Sequence, residues 1–354
     1  MGILSDLSKS GSTDQVALIK YLNAEAGIQI RTIQITPFSG GYSNLTYLLE
    51  INESVKWVLR MPPKGADIKS GHDMSREYKI LNALYPLNQK VPKPVLYCSK
   101  TEVLGATFYI MEYVSGYILR SEMNEVNPDE KTMRHIFQQF MDTFVDVHQL
   151  DYVKAGLGDL GIPDQYAERQ ISGWTKRYFH AKTDDIKSAE KMAAWLREHI
   201  PPASGTSLIH NDFKYDNLIL DIGNSNVTTI LDWEMSTIGD PLMDLGSSLG
   251  YWVNVDDPDW LLAIKLSPTT IPGNPSREGL LQEYAVKSGI DPGNGVFYYV
   301  YGLFKLAVIA QQIYARYVSG HTTDARFAGL NKVVDACATI GLQSISRKRL
   351  DGLF

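Results

Sequence analysis

The sequence contains little cysteine, no excess of positive charge and no long uninterrupted apolar segment. Its 354 residues include two cysteines, Cys98 and Cys337, so it has neither a disulfide framework nor the spacing of a cysteine metal site. The 34 basic and 40 acidic residues give a net charge of −6. A general nucleic-acid coat protein carries a basic surplus instead. We therefore expect no nucleic-acid partner.

The sequence also shows no pattern typical of secretion or of a membrane span. Its first ten residues lack a basic region followed by an apolar core, which a signal peptide would have. Asp6 stands where an N-myristoylation motif has Ser or Thr. The most apolar segment, 300–318, is interrupted by Lys305, two glutamines and Arg316, which predicts a buried helix. We expect a cytoplasmic protein with no membrane partner.

The first third of the sequence is rich in β-strand patterns. An amphipathic helix pattern at 13–27 precedes them, and a second helix is predicted over 75–87 with Ser75 as its N-cap. The predicted strands cover residues 31–38, 45–51, 55–61, 95–99 and 106–114. Short turns join the first three strands, which predicts an antiparallel meander. This part should form a five-stranded sheet with one helix inserted after the third strand.

The remaining sequence has a mainly helical pattern. The predicted elements are helices at 128–150 and 185–199, short strands at 206–212, 217–221 and 227–233, and further helices from 241 to the end. A small β-rich lobe ahead of a larger helical lobe predicts an active site between the two. We expect a nucleotide-binding lobe at 1–111, a hinge at 112–116 and a catalytic and substrate lobe at 117–354.

The strongest chemical signal is the segment HNDFKYDN at 210–217. His210, Asp212 and Asn217 have the spacing H-x-D-x-x-x-x-N directly after an apolar strand. A second strand delivers Asp232 fifteen residues beyond Asn217. Asn and Asp oxygens are ligands of the type that Mg²⁺ takes from protein, alongside phosphate oxygens. The pattern predicts a phosphoryl-transfer site with Asn217 and Asp232 as metal ligands.

The other residues of this segment have roles that phosphoryl transfer explains. Its transition state carries spread negative charge, so catalysis consists mainly of positioning and charge neutralisation. Asp212 is placed to accept the proton of a substrate hydroxyl or to orient that hydroxyl. Lys214 would neutralise the γ-phosphate, the alternative being an exposed loop lysine. We expect His210 to brace the loop by hydrogen bonds rather than act as a base.

At this point the sequence resembles a known family. HNDFKYDN, LDWE (231–234) and GDPLMDL (239–245) together resemble the aminoglycoside phosphotransferase-type, choline kinase-like small-molecule kinases. The branch most similar is found alone in bacteria or fused to acyl-CoA dehydrogenases, and the resemblance extends over about 30–320. It implies an α+β, protein-kinase-like bilobal fold, with an antiparallel sheet plus a helix in the N-lobe and a larger, mainly helical C-lobe.

The resemblance also implies roles for individual residues. Asp212 would be the catalytic Asp, and Asn217 and Asp232 the metal ligands. Asp240 and Asp244 would support the site, with Asp244 bracing the catalytic loop.

In the N-lobe, the resemblance assigns the segment 38–49 to the loop that covers the nucleotide phosphates. Backbone amides at Gly40 and Gly41 would approach the phosphates, and Ser43 and Asn44 would add contacts. Arg60 stands where this fold places a lysine, and it can bind phosphate bidentately. The remaining nucleotide contacts that the resemblance implies are Glu77 as the partner of Arg60, and Met111, Glu112 and Val114 around the adenine.

The sequence departs from protein kinases in three ways. It has no G-x-G-x-x-G loop, the Asp–Phe–Gly triplet is Asp–Trp–Glu, and no A-P-E segment follows. The leading hypothesis is therefore an ATP- or GTP-dependent, Mg²⁺-requiring kinase that phosphorylates a hydroxyl of a small molecule. Two alternatives stay open at this point, a catalytically silent nucleotide-binding scaffold and a protein kinase.

Several classes of acceptor are compatible with the sequence. Residues 112–354 hold 22 basic and 31 acidic residues, a net charge of −9, which suits a cationic aminoglycoside or amino alcohol. The family branch instead indicates a hydroxylated acyl thioester or a similar metabolite. The aromatic residues of 297–318, with Trp252 and Trp260, would line an apolar acceptor pocket or pack in the core. We expect an acceptor less cationic than a typical aminoglycoside.

Overall fold

The computed structural model describes residues 7–38, 44–63, 72–87, 90–121 and 126–354. These residues form two compact units. The first unit contains the described residues up to Gly116 together with 153–157 and 228–235, and the second contains the others. The lobe boundaries expected from the sequence stay a prediction.

The first unit is built on a five-stranded antiparallel sheet. Its strands are β1 (Ile33–Pro37), β2 (Leu45–Ile51), β3 (Val55–Met61), β4 (Pro94–Cys98) and β5 (Phe108–Glu112), in the spatial order β1-β2-β3-β5-β4. Its helices are α1 (Thr13–Glu25), α2 (Met74–Leu84) and the short α3 (Thr101–Leu104). The predicted sheet with a helix inserted after its third strand is confirmed. The exchanged order of β4 and β5 puts β5 beside β3, where Arg60 lies opposite Tyr109.

Helix α2 begins one residue before its predicted start. Its N-cap is Asp73, whose Oδ1 accepts hydrogen bonds from the amides of Ser75 (3.0 Å) and Arg76 (3.1 Å). The prediction of Ser75 as N-cap is therefore wrong, because the Asp73 carboxylate already satisfies the first free amides of the helix. The α-helix ends at Leu84 and is followed by a single 3₁₀ turn, Tyr85–Leu87, because Pro86 has no amide to donate the next hydrogen bond of an α-helix.

The second unit is mainly helical, as predicted. Its helices are α4 (Glu130–Gln149), α5 (Tyr166–Ala181), α6 (Lys187–Glu198), α7 (Pro241–Leu249), α8 (Asp259–Leu262), α9 (Arg277–Ser288), α10 (Val296–Val318) and α11 (Leu330–Arg347). The short strands after α6 are β6 (Ser207–Ile209), β7 (Leu218–Leu220), β8 (Val227–Ile230) and β9 (Thr237–Gly239), and β6 pairs with β9 in antiparallel fashion.

Two of these elements were not expected from the sequence. Helix α5 contains Gly173 and Thr175, which lower its helix propensity. It is helical because Ile171, Trp174 and Tyr178 bury one face in the unit. Strand β9 is three residues long and gains its pairing from β6, which local sequence does not reveal.

Helices α7 and α10 approach each other so closely that their backbones touch. The contact is made by Gly246 and Gly250 of α7 and Gly302 of α10. A Cβ atom on Gly250 would lie 2.6 Å from the Gly302 carbonyl carbon, and one on Gly302 would overlap the Gly246 carbonyl oxygen. Helix α10 is long and apolar enough to cross a membrane, and most of it is buried inside the second unit, as the sequence predicted.

Replacing Gly302 with Ala should destabilise the protein by about 3 kcal/mol, because two helix backbones must separate to admit the methyl group. The matched control is Gly158→Ala, where an added Cβ meets no heavy atom within 4 Å, and it should change stability by less than about 0.5 kcal/mol. Urea denaturation followed by circular dichroism measures both values. Equal values for the two variants would contradict the close contact.

Candidate functional site

The segment that follows β6 brings Asp212, Lys214 and Asn217 together. A single 3₁₀ turn, Tyr215–Asn217, folds Asn217 back so that its Nδ2 donates to the Asp212 carbonyl oxygen (2.8 Å) and to Asp212 Oδ2 (2.9 Å). Lys214 Nζ lies 3.0 Å from Asp212 Oδ2 and 3.1 Å from Oδ1. The spacing seen in the sequence thus brings an amide and an ammonium into contact with the same carboxylate. We call residues 210–217 the catalytic loop.

The surroundings of Asp212 favour its ionised form. Burial raises the pKa of its carboxyl. The positive charges of Lys214 and Lys305 lower that pKa by a larger amount, so the net pKa is below the ordinary value of 3.8. The pKa of Lys214 is raised, since Asp212 outweighs the effect of burial. Its Nζ also lies 4.5 Å from the centre of the Tyr251 ring. At neutral pH the loop therefore presents a charged carboxylate held by a charged lysine.

Asp244 of α7 holds the start of the catalytic loop. Its side chain is fully buried, and its two oxygens accept hydrogen bonds from the backbone amides of His210 (2.6 Å) and Asn211 (2.7 Å). His148 Nε2 lies 3.1 Å from Asp244 Oδ2, while His148 Nδ1 lies 2.8 Å from the Tyr284 hydroxyl. Burial raises the pKa of Asp244, yet its hydrogen bond and charge interaction with His148 bring it below the ordinary value.

His210 is enclosed and bonded to its own loop. Its ring is fully buried, and its Nδ1 accepts a hydrogen bond from the Asp212 amide at 3.3 Å. The Ser236 hydroxyl donates to its carbonyl oxygen at 3.4 Å. These contacts are those of a bracing residue. The next residue, Asn211, has φ +65°, a left-handed conformation that Asn adopts more readily than most side chains, and the chain reverses there toward Asp212.

Asp240 acts on α7 rather than on the loop directly. It is the N-cap of that helix, with Oδ1 accepting from the Leu242 amide at 2.9 Å. Its carboxylate also accepts hydrogen bonds from the amide and the hydroxyl of Ser204. Asp240 therefore fixes the beginning of the helix that carries Asp244.

In the first unit, Arg60 of β3 is surrounded by carboxylates. Its NH2 group donates to Asp232 Oδ1 at 2.7 Å and to Glu234 Oε2 at 3.3 Å. Its Nε lies 3.5 Å from Glu77 Oε2, within ion-pair distance but without hydrogen-bond geometry. Asp232 has φ +66°, a left-handed conformation often found at functional sites. We call Arg60, Glu77, Asp232 and Glu234 the arginine cluster.

Glu77 is a buried member of this cluster rather than a solvated surface residue. It is 2% exposed on the inner face of α2. Burial raises the pKa of its carboxyl above the ordinary value, and the nearby Arg60 charge opposes that shift. A buried carboxylate of this kind depends on its cationic neighbour, because an uncompensated buried charge is strongly destabilising.

Asn44 connects the arginine cluster to the chain just before β2. Its Nδ2 donates to Glu234 Oε2 at 2.6 Å, and its Oδ1 lies 2.9 Å from His72 Nδ1. Both polar atoms of the Asn44 side chain, which was predicted to contact phosphate, are thus already in contact with other side chains. The predicted contacts at Gly40, Gly41 and Ser43 lie outside the described residues.

The segment predicted to bind adenine is partly used by the sheet. Met111 is buried in β5, and the Glu112 side chain pairs with Lys93 at 2.9 Å. The Glu112 amide already donates to the Lys93 carbonyl oxygen (2.8 Å), so it is not free for a ligand. Among the described residues the Val114 amide donates no hydrogen bond, which leaves it available to a base.

The aromatic residues considered for an acceptor pocket mostly pack in the core. Trp252 is buried, and so are several aromatic side chains of α10, among them Tyr298, Tyr301 and Phe304. Trp260 is exposed and meets Phe354 edge to face. This favours core packing over an acceptor wall for most of the group.

Sequence reasoning did not identify two charged residues of these clusters. Glu234 occupies the position of the glycine in the Asp–Phe–Gly triplet, and a charged residue at that position could have indicated that it has a partner in the site. Lys305 is the lone lysine of α10, and a lysine in the middle of an apolar helix could have indicated a buried charge with a specific partner.

Replacing Asp244 with Asn should lower the free energy of unfolding by about 3 kcal/mol at neutral pH, because an amide NH₂ would face a backbone amide. The pKa of Asp244 is lower in the folded state than its ordinary 3.8, so its stabilisation is present above that pH. It is lost as the pH falls through the lower, folded-state value. Chemical denaturation at several pH values should show the difference between the two proteins shrinking in acid.

The control for this experiment is Asp142→Asn, which removes an exposed ion pair with Lys287. It should cost less than about 1 kcal/mol. A loss for Asp244→Asn no greater than that of the control would argue against the bracing role.

Comparison with known proteins identifies the family. The model of the phosphotransferase enzyme family (APH) matches residues 34–279. A rat (Rattus norvegicus) protein, acyl-CoA dehydrogenase family member 11, is 35% identical over 323 residues, which cover 90% of this chain. They cover 41% of the rat protein, so the chain spans about two fifths of its length.

Solved structures show the same fold. A proposed aminoglycoside phosphotransferase from Ralstonia eutropha JMP134 is similar with a TM-score of 0.78 and 29% identity, covering 94% of this chain and 98% of that one. A spectinomycin phosphotransferase solved with ADP and spectinomycin is similar in fold, with a TM-score of 0.61, 13% identity and coverage of 94% and 98%. The family resemblance and the protein-kinase-like fold predicted from the sequence are confirmed. The chain belongs to the phosphotransferase enzyme family.

Proposed function

We propose that this chain transfers the γ-phosphoryl group of ATP or GTP to a hydroxyl group of a small molecule. The observation that carries the proposal is the contact of Asp212 with Lys214 and Asn217 in a loop whose backbone is held by buried groups. Family membership supports it, as does the fold shared with a spectinomycin phosphotransferase that binds ADP and spectinomycin.

Asp212 would orient the acceptor hydroxyl. Its lowered pKa makes it an ionised hydrogen-bond acceptor at neutral pH and a weak proton acceptor. That is adequate for phosphoryl transfer, because the loose transition state needs little proton removal before the phosphorus–oxygen bond to the leaving group breaks. Lys214 would keep the carboxylate charged and, when nucleotide is bound, counter the charge of the γ-phosphate.

The proposed metal ligands each keep an oxygen that the protein does not use. Asn217 uses its Nδ2 for both bonds to Asp212, which leaves its Oδ1 as an acceptor among the described residues. Asp232 uses Oδ1 for Arg60, and its Oδ2 forms no hydrogen bond with the described residues. Each of these oxygens is of the kind that Mg²⁺ takes from protein, and the ion would neutralise charge on the phosphates when bound.

Arg60 would bind nucleotide phosphate, with its charge already balanced by the carboxylates around it. Its guanidinium has five donors, so it can keep Glu77 as a neighbour while it turns donors toward a phosphate. Phosphate oxygens would compete with Asp232 and Glu234 for the hydrogen bonds that Arg60 Nη2 donates. The proposed nucleotide site also includes Val114 and, outside the described residues, Gly40, Gly41 and Ser43.

Asp212→Asn should lower phosphoryl transfer by about 10³-fold, because an uncharged amide orients the acceptor hydroxyl less strongly than a carboxylate does, and its NH₂ would face the Lys214 ammonium. Nucleotide affinity, measured by calorimetry with Mg·ATP, should change less than about threefold. Mass spectrometry of the phosphorylated acceptor, found by screening hydroxylated metabolites, amino alcohols and aminoglycosides, measures the transfer.

The control is Asp221→Asn, the same replacement just beyond β7 and outside the catalytic loop. Asp221 Oδ1 accepts hydrogen bonds from the amides of Gly223 (2.7 Å) and Asn224 (2.9 Å) in an exposed turn, and an Asn oxygen can accept the same bonds, so the variant should keep transfer within about threefold. Transfer that survives in Asp212→Asn would refute the assignment. A wild-type chain that binds nucleotide and phosphorylates nothing would identify a silent scaffold.

A further inference from the structure

Lys305 is a buried cation directly behind the catalytic loop. It is 5% exposed, in the middle of α10, a helix otherwise composed mainly of apolar and aromatic residues. Burying an ammonium group is costly unless its charge and its donors are matched. Among the described residues, Lys305 makes no hydrogen bond to the arginine cluster or to the proposed metal ligands, so neither of these sites explains its position.

The donors of Lys305 are directed at two groups. Its Nζ donates to the Asn211 carbonyl oxygen and to Ser247 Oγ (3.2 Å), and Ser247 in turn donates to the Met243 carbonyl oxygen (3.2 Å). Its Nζ also lies 5.9 Å from the centre of the Trp174 ring. The ammonium thus joins α10, α7 and the catalytic loop.

These hydrogen bonds complete the set that fixes the backbone at Asn211. Asp244 holds the amides of His210 and Asn211, and the Tyr166 hydroxyl donates to Asn211 Oδ1 at 3.2 Å. Lys305 holds the Asn211 carbonyl oxygen, which belongs to the peptide that leads into Asp212. The left-handed conformation of Asn211 is therefore held from its amide, its side chain and its carbonyl.

The close contact between α7 and α10 explains how Lys305 reaches Ser247. Gly302 lies one turn before Lys305 on α10, and Gly246 immediately precedes Ser247 on α7. Larger residues at the glycine positions would move the ammonium away from both of its acceptors.

We propose that Lys305 is a positioning residue for phosphoryl transfer, which fixes the peptide preceding Asp212 through its hydrogen bond to the Asn211 carbonyl oxygen. The inference rests on the proposed function, in which Asp212 orients the acceptor hydroxyl.

The charge state of Lys305 gives the proposal a measurable signature. Burial lowers its pKa to about 8, although the charges of Asp212 and Asp244 act to raise it. Lys214 of the loop and Arg177 of α5 lower it further.

Further titratable side chains beside Asn211 and Ser247 are Tyr301 of α10, Tyr166 of α5 and His210 of the loop. Helices α6 and α11 also pack against α10, and among the described residues none of their charged side chains bonds to Lys305.

Activity and stability should then respond to pH in opposite directions. Above about pH 8 the ammonium loses its proton, so the hold on Asp212 weakens and turnover falls. The unfolded chain binds that proton up to the ordinary value of 10.5, so between these values the Lys305 contribution to stability rises with pH. A residue with only a structural role would not produce a fall in turnover without a loss of stability.

The first experiment compares Lys305→Met with Gln311→Met, which alters a fully buried polar residue on the same helix. Gln311 donates to the Ala181 carbonyl and to the Thr183 hydroxyl, away from the loop. We expect kcat for Mg·ATP-dependent transfer to fall about 30-fold in Lys305→Met with KM for ATP within twofold, and kcat to stay within twofold in Gln311→Met. The fall of wild-type turnover above pH 8 should be absent in Lys305→Met and shifted upward in Lys305→Arg.

The second experiment does not depend on turnover. In protein with ¹³C-labelled lysine, the Lys305 resonance should titrate near pH 8, and the Asp212 backbone amide should shift with the same midpoint in wild type but not in Lys305→Met. A titrating Lys305 with an unresponsive Asp212 amide, or an alkaline fall that persists in Lys305→Met, would overturn the proposal. If no acceptor is phosphorylated, the proposed function fails, and this titration still decides whether Lys305 positions the loop.

Discussion

The second unit depends on the buried carboxylate of Asp244. This one side chain accepts the two backbone amides at the start of the catalytic loop and is itself held by His148. Without these bonds the loop would expose unsatisfied amides in a dry interior, which is costly. Asp240 caps the helix that carries Asp244, and the glycine contact with α10 brings Lys305 against the same loop. Loop geometry is thus set by buried polar groups on rigid helices.

In the first unit, the corresponding constraint is the arginine cluster. Three carboxylates converge on one guanidinium at the inner side of β3, and Asn44 and His72 extend the network toward the chain before β2. A guanidinium suits this arrangement better than an ammonium, because its planar donors can serve several carboxylates at once. Protein kinases have a lysine where this chain has Arg60 and a glycine where it has Glu234. These two differences are physically linked, because the Arg60 guanidinium binds the Glu234 carboxylate.

The sequence was informative where the pattern was local and periodic. Strand alternation predicted the five-stranded sheet, and the spacing H-x-D-x-x-x-x-N singled out Asp212 and Asn217, whose side chains the structure joins through a single tight turn. It failed where the deciding interaction joins distant segments. The hold of Lys305 on Asn211 and the helicity of α5 both come from tertiary packing. No local propensity encodes these, although a lone lysine in an apolar helix is a usable hint.

The central claim is that the catalytic loop supports transfer of a phosphoryl group to a small-molecule hydroxyl. The most direct measurement incubates the protein with Mg²⁺ and ATP labelled with ¹⁸O in the γ-phosphate, together with an extract of small metabolites, and follows the label by mass spectrometry. The account predicts that the labelled phosphoryl group appears in a new phosphate ester, with one ADP formed for each ester. Label found only in inorganic phosphate, or remaining in ATP while the nucleotide is bound, would contradict it.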